Sequence, residues 1–259
     1  MRSNIYAACF PLMVCICSTV TAQDYNLVVT AGSGEDQERV ECYAQATLAS
    51  LRKDWGDEAI PILAYPVTIE ISRSNDKAWG VSTYYPGLKN LKIEVGGDFE
   101  GILSNALPRQ LSHLVLAERI EKAPRWAEMG IGLLSESRNS RDRHWKVFRE
   151  ARDGGMLMPF NELLTYTEYP KDVSDVIKMY SQSMVVAQYV AETWDRETLI
   201  RFVSDSKRID LSSAIKKHLG FNSVGEFELG FRNWAADKRK GEPRVEPEPA
   251  TTVFRPSKR

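Results

Sequence analysis

The sequence predicts an α+β fold, with a small, mostly antiparallel sheet and its helix near the N-terminus and a helical C-terminal half. Three observations carry this. Short runs rich in β-branched and aromatic residues, at 25–30, 66–72, 79–85 and 91–95, all fall before residue 98. A single segment of helical period, 38–55, interrupts them. From 98 to 236 the apolar spacing is helical, broken only by short polar or glycine-bearing connections. With 259 residues the chain is long enough for one large core or two small ones.

Residues 1–22 have the form of a secretory signal. Arg2 supplies a positive start, 7–20 is largely apolar, and Val20-Thr21-Ala22 offers small residues for cleavage. The apolar run falls short of the ~20 residues that a spanning helix needs. Val14 stands before Cys15 where a lipoprotein signal requires a small residue. The mature chain is therefore expected to begin near Gln23, with no membrane association after cleavage, in a secreted or periplasmic location. Of four cysteines, Cys9, Cys15 and Cys17 leave with the signal, and Cys42 alone cannot form an internal disulfide. Its apolar helical setting marks it as a buried structural thiol. Loss of Arg2 takes the formal charge from −1 to −2, and nothing in that balance points to nucleic acid or an anionic membrane as a partner.

Residues 25–30 (YNLVVT) read as a strand and 31–34 as a turn. Gly32-Ser33-Gly34 lacks the Lys-Ser/Thr that a phosphate loop requires. In 38–55, Val40, Tyr43, Ala44, Thr47, Leu48 and Leu51 follow a helical period. Residues 66–72 (PVTIEIS) alternate as a half-buried strand does. The runs 79–85 and 91–95 read as a hairpin around Pro86-Gly87.

Residues 98–107 are apolar at helical spacing, and Pro108 is expected to break or kink that helix, because it lacks an N–H and crowds the preceding turn. A helix opening at Pro108 puts Arg109 and His113, four apart, on one face. Leu111, Leu114, Val115, Leu116 and Ala117 make it apolar almost all round, hence central. After a charged connection at 118–122, Pro124 opens a second helix, on which Glu128 precedes Gly132 by one turn. A glycine there admits close approach of another helix.

Residues 139–153 form a charged amphipathic helix with Trp145, Val147 and Phe148, ended by Gly154-Gly155. A short helical turn at 161–165 precedes a strong core helix at 173–194. Shorter helices follow at 198–204, 212–219 and 224–236. Residues 238–259 are rich in Lys, Arg, Glu and Pro and too poor in apolar side chains to offset ordering entropy, so they read as a solvated tail. The chain thus divides into 1–22, a β-rich part at 23–97, a helical part at 98–237, and the tail.

The stretch LPRQLSHLVLAERIEKAPRWAEMGIGLLSES, 107–137, resembles the active-site helices of the gluzincin zinc metallopeptidases in the peptidase MA-like form. There the first helix carries His-Glu-x-x-His, and the next reads roughly Pro-x-Trp-x-x-Glu-Gly. Two imidazoles one turn apart and a carboxylate from the second helix hold zinc, leaving a fourth position for water. The Glu beside the first His takes the water's proton. Laid on this chain, the second His is His113 and the third ligand is Glu128, within Pro124-Arg125-Trp126-Ala127-Glu128-Met129-Gly130. Arg109 stands at the first ligand, a permanent cation that binds no metal. Gln110 stands at the general-base position, and an amide is no base at neutral pH. The resemblance runs from about 66 to 236.

What the resemblance implies is a zincin-like fold. Its cleft would have Leu91, Ile93 and Val95 as edge strand, and a plain structural strand explains those residues equally well. Tyr180-Ser181-Gln182-Ser183 is similar to the family's Tyr-x-x-Ser helix, which packs behind the metal helices. Tyr180 suits the core at this spacing, and is also a possible oxyanion position. Trp126 and Trp194 are assigned to the core. His144, among Arg141, Asp142, Arg143 and Lys146, and His218, beside Lys216 and Lys217, are expected at the surface. With only His113 and Glu128 left as ligands, no zinc cofactor is expected. Arg109 is expected to bridge Glu128, with hydrogen bonds from His113 and Gln110. The leading expectation is a pseudopeptidase that binds a peptide or protein partner. One alternative is an active zinc metallopeptidase, endopeptidase or aminopeptidase-like, with an atypical site. The other is a structural or interaction domain with a closed cleft.

Overall fold

The computed structural model of the protein describes residues 25–56, 66–85, 90–113 and 123–238. The expected signal at 1–22, the Pro86-Gly87 turn, Leu114 to Ala117, the connection at 118–122 and all of the tail after Lys238 lie outside the described residues.

Four strands form one sheet: β1 (Leu27–Thr30), β2 (Val67–Arg73), β3 (Trp79–Tyr85) and β4 (Asn90–Gly97), in the order β1-β2-β4-β3. β1 and β2 pair in parallel, as do β2 and β4, and only β3 and β4 run antiparallel. The sheet is therefore mixed, not mostly antiparallel as expected. The cause is α1 (Gly34–Trp55), whose 22 residues form the crossover that parallel neighbours need. β4 then returns from β3 into the place beside β2. The expected edge strand is corrected by the same order. β4 is central, and β3 is the edge.

Register explains the polarity of the two faces. Ile69 lies opposite Ile93, which lies opposite Ser82. Val67, Ile69, Leu91, Ile93 and Val95 thus share one face, and all are buried. Leu91, Ile93 and Val95 are core residues, not a cleft rim. On the outer face Lys92 is held between Glu70 at 3.0 Å and Glu94 at 2.6 Å. α1 begins at Ser33, whose hydroxyl accepts from Asp36 N–H, and buries Val40, Ala44, Leu48, Leu51 and Trp55. Cys42 is off that stripe and only half-buried, not the buried thiol expected.

Pro108 does not break its helix. α2 runs through Phe99–Gly101, a π-wound Ile102–Ala106 and Leu107–Ser112 in continuity. Leu107 N–H donates to Ile102 O, five residues back, which widens the turn ahead of the proline. The carbonyl that Pro108 leaves without a helical donor is that of Ser104. It accepts from Ser137 N–H at 2.9 Å instead.

The remaining helices are α3 (Arg125–Leu134), α4 (Arg138–Asp153), α5 (Phe160–Thr165), α6 (Val173–Thr193), α7 (Arg196–Asp205), α8 (Leu211–Leu219) and α9 (Val224–Lys238). α6 is the central one: Met179, all of 181–187 and Val190 are buried. α3 lies so close that a Cβ on Gly130 would come within 2.5 Å of Ser183 O. Trp126 is buried and tilts against Phe202, while Trp194 is only partly buried. Phe160, Tyr189, Phe227, Phe231 and Trp234 knit α5, α6 and α9 by ring contacts of 5.2–5.9 Å. Among the described residues no helix is long and apolar enough to cross a membrane.

Candidate functional site

α2 and α3 lie side by side and antiparallel: Gly132 faces Arg109 and His113, while Ser137 bonds back to Ser104. Gly132 permits the contact. A Cβ there would meet Arg109 Cγ at 2.9 Å and His113 Nε2 at 3.2 Å. Side chains on a helix lean toward its N-terminus, and on α2 that direction leads toward the C-terminal end of α3. Arg109 accordingly reaches Glu136, Nη1 to Oε1 at 3.3 Å.

The expected Arg109–Glu128 bridge is therefore not formed. Glu128 lies the other way along α3, where Arg125, three residues earlier on the same helix, takes its carboxylate at 2.6 Å. Arg125 also covers the ring of Tyr169 at 4.8 Å and donates to Thr167 O. Tyr169 contacts the ring of Tyr180 at 6.0 Å, so Tyr180 joins the Glu128 end of the helix pair. Burial, then the Glu128 charge, holds the Tyr169 phenol protonated well above its usual range. This cluster ties the chain between α5 and α6 onto α3.

The other predicted residues gather around Gly132 and the edge strand. Ser82 Oγ on β3 lies 2.8 Å from His113 Nδ1. His113 Nε2 is buried with no hydrogen-bond partner among the described residues. Burial, then the Arg109 charge, lowers the pKa of His113 to about 4, so its ring is neutral at pH 7. Gln110 is buried and donates from Nε2 to Gly80 O of β3 at 2.9 Å. It neither approaches His113 as a partner nor leaves the strand backbone free. Its Oε1 has no partner among the described residues.

Two residues of this site were misread or missed from sequence. His144 is not at the surface. Its Nδ1 lies 3.1 Å from Ser181 Oγ, and since that hydroxyl donates to Ile177 O, the ring supplies the N–H. Burial, then the charges of Arg109, Arg143 and Lys77, lowers its pKa to about 4. The signal was available: His144 stands four residues after Ser140 and four before Phe148, both buried. Glu136 had no signal. It is buried in the turn between α3 and α4, with Oε2 bound by Ser140 Oγ at 2.5 Å. Burial raises its pKa, opposed by Ser140 and Arg109. His218, also expected at the surface, is likewise half-buried, its Nε2 2.8 Å from Asp205 Oδ2.

These residues do not suit zinc. A cation occupies the first ligand position, and Glu128 is spent on Arg125. Counted from Trp126 and Gly130, the carboxylate of the resembling motif moreover falls on Met129, a buried thioether, and not on Glu128, the expected ligand. Among the described residues no three His, Cys, Asp or Glu side chains form a metal-ligand group. A separate groove of about 740 Å³ between α4, α6 and α9 is lined by Trp145, Trp234, Arg141 and Lys238. Its ends are internally satisfied: Trp145 donates to Gln188, and Lys238 pairs with Glu192 at 2.6 Å. Comparison with protein-family models, with characterised proteins and with solved structures returns no match.

Proposed function

We propose that the chain is an exported pseudopeptidase of zincin-like, gluzincin-type fold, which binds a peptide or protein without cleaving it. The observation that carries this is Arg109, seated on Gly132 beside His113 and paired with Glu136. A permanent cation at that place repels a metal ion, and burial, seconded by that charge, keeps His113 neutral. Met129, in line with the motif's carboxylate, and Gln110, committed to Gly80 O, speak against the atypical active peptidase. The test is elemental analysis of the purified mature chain together with mass spectrometry of incubated peptides. The expected result is zinc well below one per chain and intact peptides. About one tightly held zinc, as an intact site would retain, overturns the reading. N-terminal sequencing of exported protein tests the leader, and a start near Gln23 is expected.

A second reading has an observation of its own. The Gln110 amide covers a backbone acceptor of the edge strand where a bound peptide would pair. That favours the domain with a closed cleft. Absence of binding to any peptide would select it.

A further inference from the structure

Arg109 is under-used. A guanidinium has five N–H donors in a planar fork, yet among the described residues its side chain meets one carboxylate oxygen, through Nη1 alone at 3.3 Å. The other Glu136 oxygen is taken by Ser140. The Arg109 side chain remains 22% exposed, so its open edge is accessible. Beside it, His113 Nε2 is buried and unpartnered. The surrounding field is positive: Lys77, ahead of β3, and Arg143, on α4, are exposed and act with Arg109 on His144. Arg141 is engaged by the carbonyls of Leu134 and Glu136.

Building on the pseudopeptidase reading, we propose that this site receives a carboxylate of the bound peptide on the free edge of Arg109, in the field of Lys77 and Arg143. The fork matches a carboxylate through two parallel N–H···O bonds. Glu136 already offsets one positive charge, which suits a monoanion better than a phosphate dianion. Two sources share this chemistry, the C-terminal carboxylate of a peptide and an Asp or Glu side chain.

Three fluorescein-labelled hexapeptides, titrated into the full chain by fluorescence polarisation, separate them. One is Ala-Val-Ala-Val-Ala-Ala with a free C-terminus, the second its C-terminal amide, and the third that amide with Glu in the fifth place. At least one acidic peptide is expected to bind about tenfold tighter than the neutral amide, and which one does so identifies the source. Inorganic phosphate at equal ionic strength is expected not to compete. In Arg109→Met/Glu136→Met, which leaves no unpaired charge, the preference should vanish. If that variant does not fold, Arg109→Lys, which keeps the charge and loses the fork, should cut the preference to about threefold. Equal binding of the three peptides, a preference that survives loss of Arg109, or no binding at all overturns the proposal. Equal binding leaves the pseudopeptidase reading intact. Cleavage of any peptide removes that reading, while the ranking still reports on the carboxylate.

Discussion

Arg109 Nη1 lies 3.3 Å from Glu136 Oε1, joining the last turn of α2 to the turn that follows α3. Glu136 is 5% exposed, so its charge has little water to fall back on. Removing one partner leaves the other buried and unpaired, which costs ~3–5 kcal/mol in a fully buried pair. Arg109 keeps part of its side chain in solvent, so Arg109→Met should cost less, about 2 kcal/mol, in urea denaturation. Arg109→Met/Glu136→Met should recover most of that loss. A double variant no more stable than the single one would show that the pair is not coupled.

Two helix glycines should respond differently to alanine. At Gly130 a Cβ meets the Ser183 backbone at 2.5 Å and Ala187 Cβ at 2.8 Å, neither of which can swing away. At Gly132 the nearest atom, 2.9 Å away, belongs to the flexible Arg109 side chain. Gly130→Ala should therefore cost about 2–3 kcal/mol from overpacking. Gly132→Ala, helped by the roughly 1 kcal/mol helix preference for Ala, should stay within about 1 kcal/mol of wild type. Thermal melts of the two variants decide this, and equal shifts would contradict it.

Acid should destabilise the fold through its two buried histidines. Burial lowers the folded pKa of His113 and His144 to about 4, below the usual 6.5 of a histidine. Between those limits the unfolded chain binds more protons, so stability falls as pH drops from about 6.5 to 4. Each histidine withdraws up to about 3 kcal/mol over that window. His144→Gln should flatten part of the pH dependence of unfolding free energy. A slope identical to wild type between pH 6.5 and 4 would refute the assignment.

Zinc binding should need Met129→Glu as well as Arg109→His. Arg109→His/Gln110→Glu restores the first helix of the resembling motif but leaves Met129 in line with its carboxylate. The double variant is expected to hold no stoichiometric zinc. Addition of Met129→Glu should raise the content toward one per chain, since catalytic zinc sites use three protein ligands. Equal zinc in the two variants would place the third ligand elsewhere.

Local order was legible in the chain itself. Alternation in PVTIEIS marked a half-buried strand, and Val40, Ala44, Leu48 and Leu51 marked a helix stripe, because periods of 2 and 3.6 are set by the backbone. Gly154 at the end of α4 and the buried Trp126 were equally readable. So was the close approach of α2 at Gly132, where the missing Cβ leaves room for Arg109 and His113. What the tertiary structure alone decided was who faces whom. Strand order made Leu91, Ile93 and Val95 core, because pairing direction depends on where a crossover lands. Ser137 N–H rescued the Ser104 carbonyl across thirty-three positions of sequence, so Pro108 did not end its helix. The antiparallel packing of α2 on α3, combined with the lean of helical side chains, sent Arg109 to Glu136 and left Glu128 to Arg125. Ion pairs are chosen by three-dimensional reach, and spacing along one helix does not encode the direction in which the neighbouring helix runs.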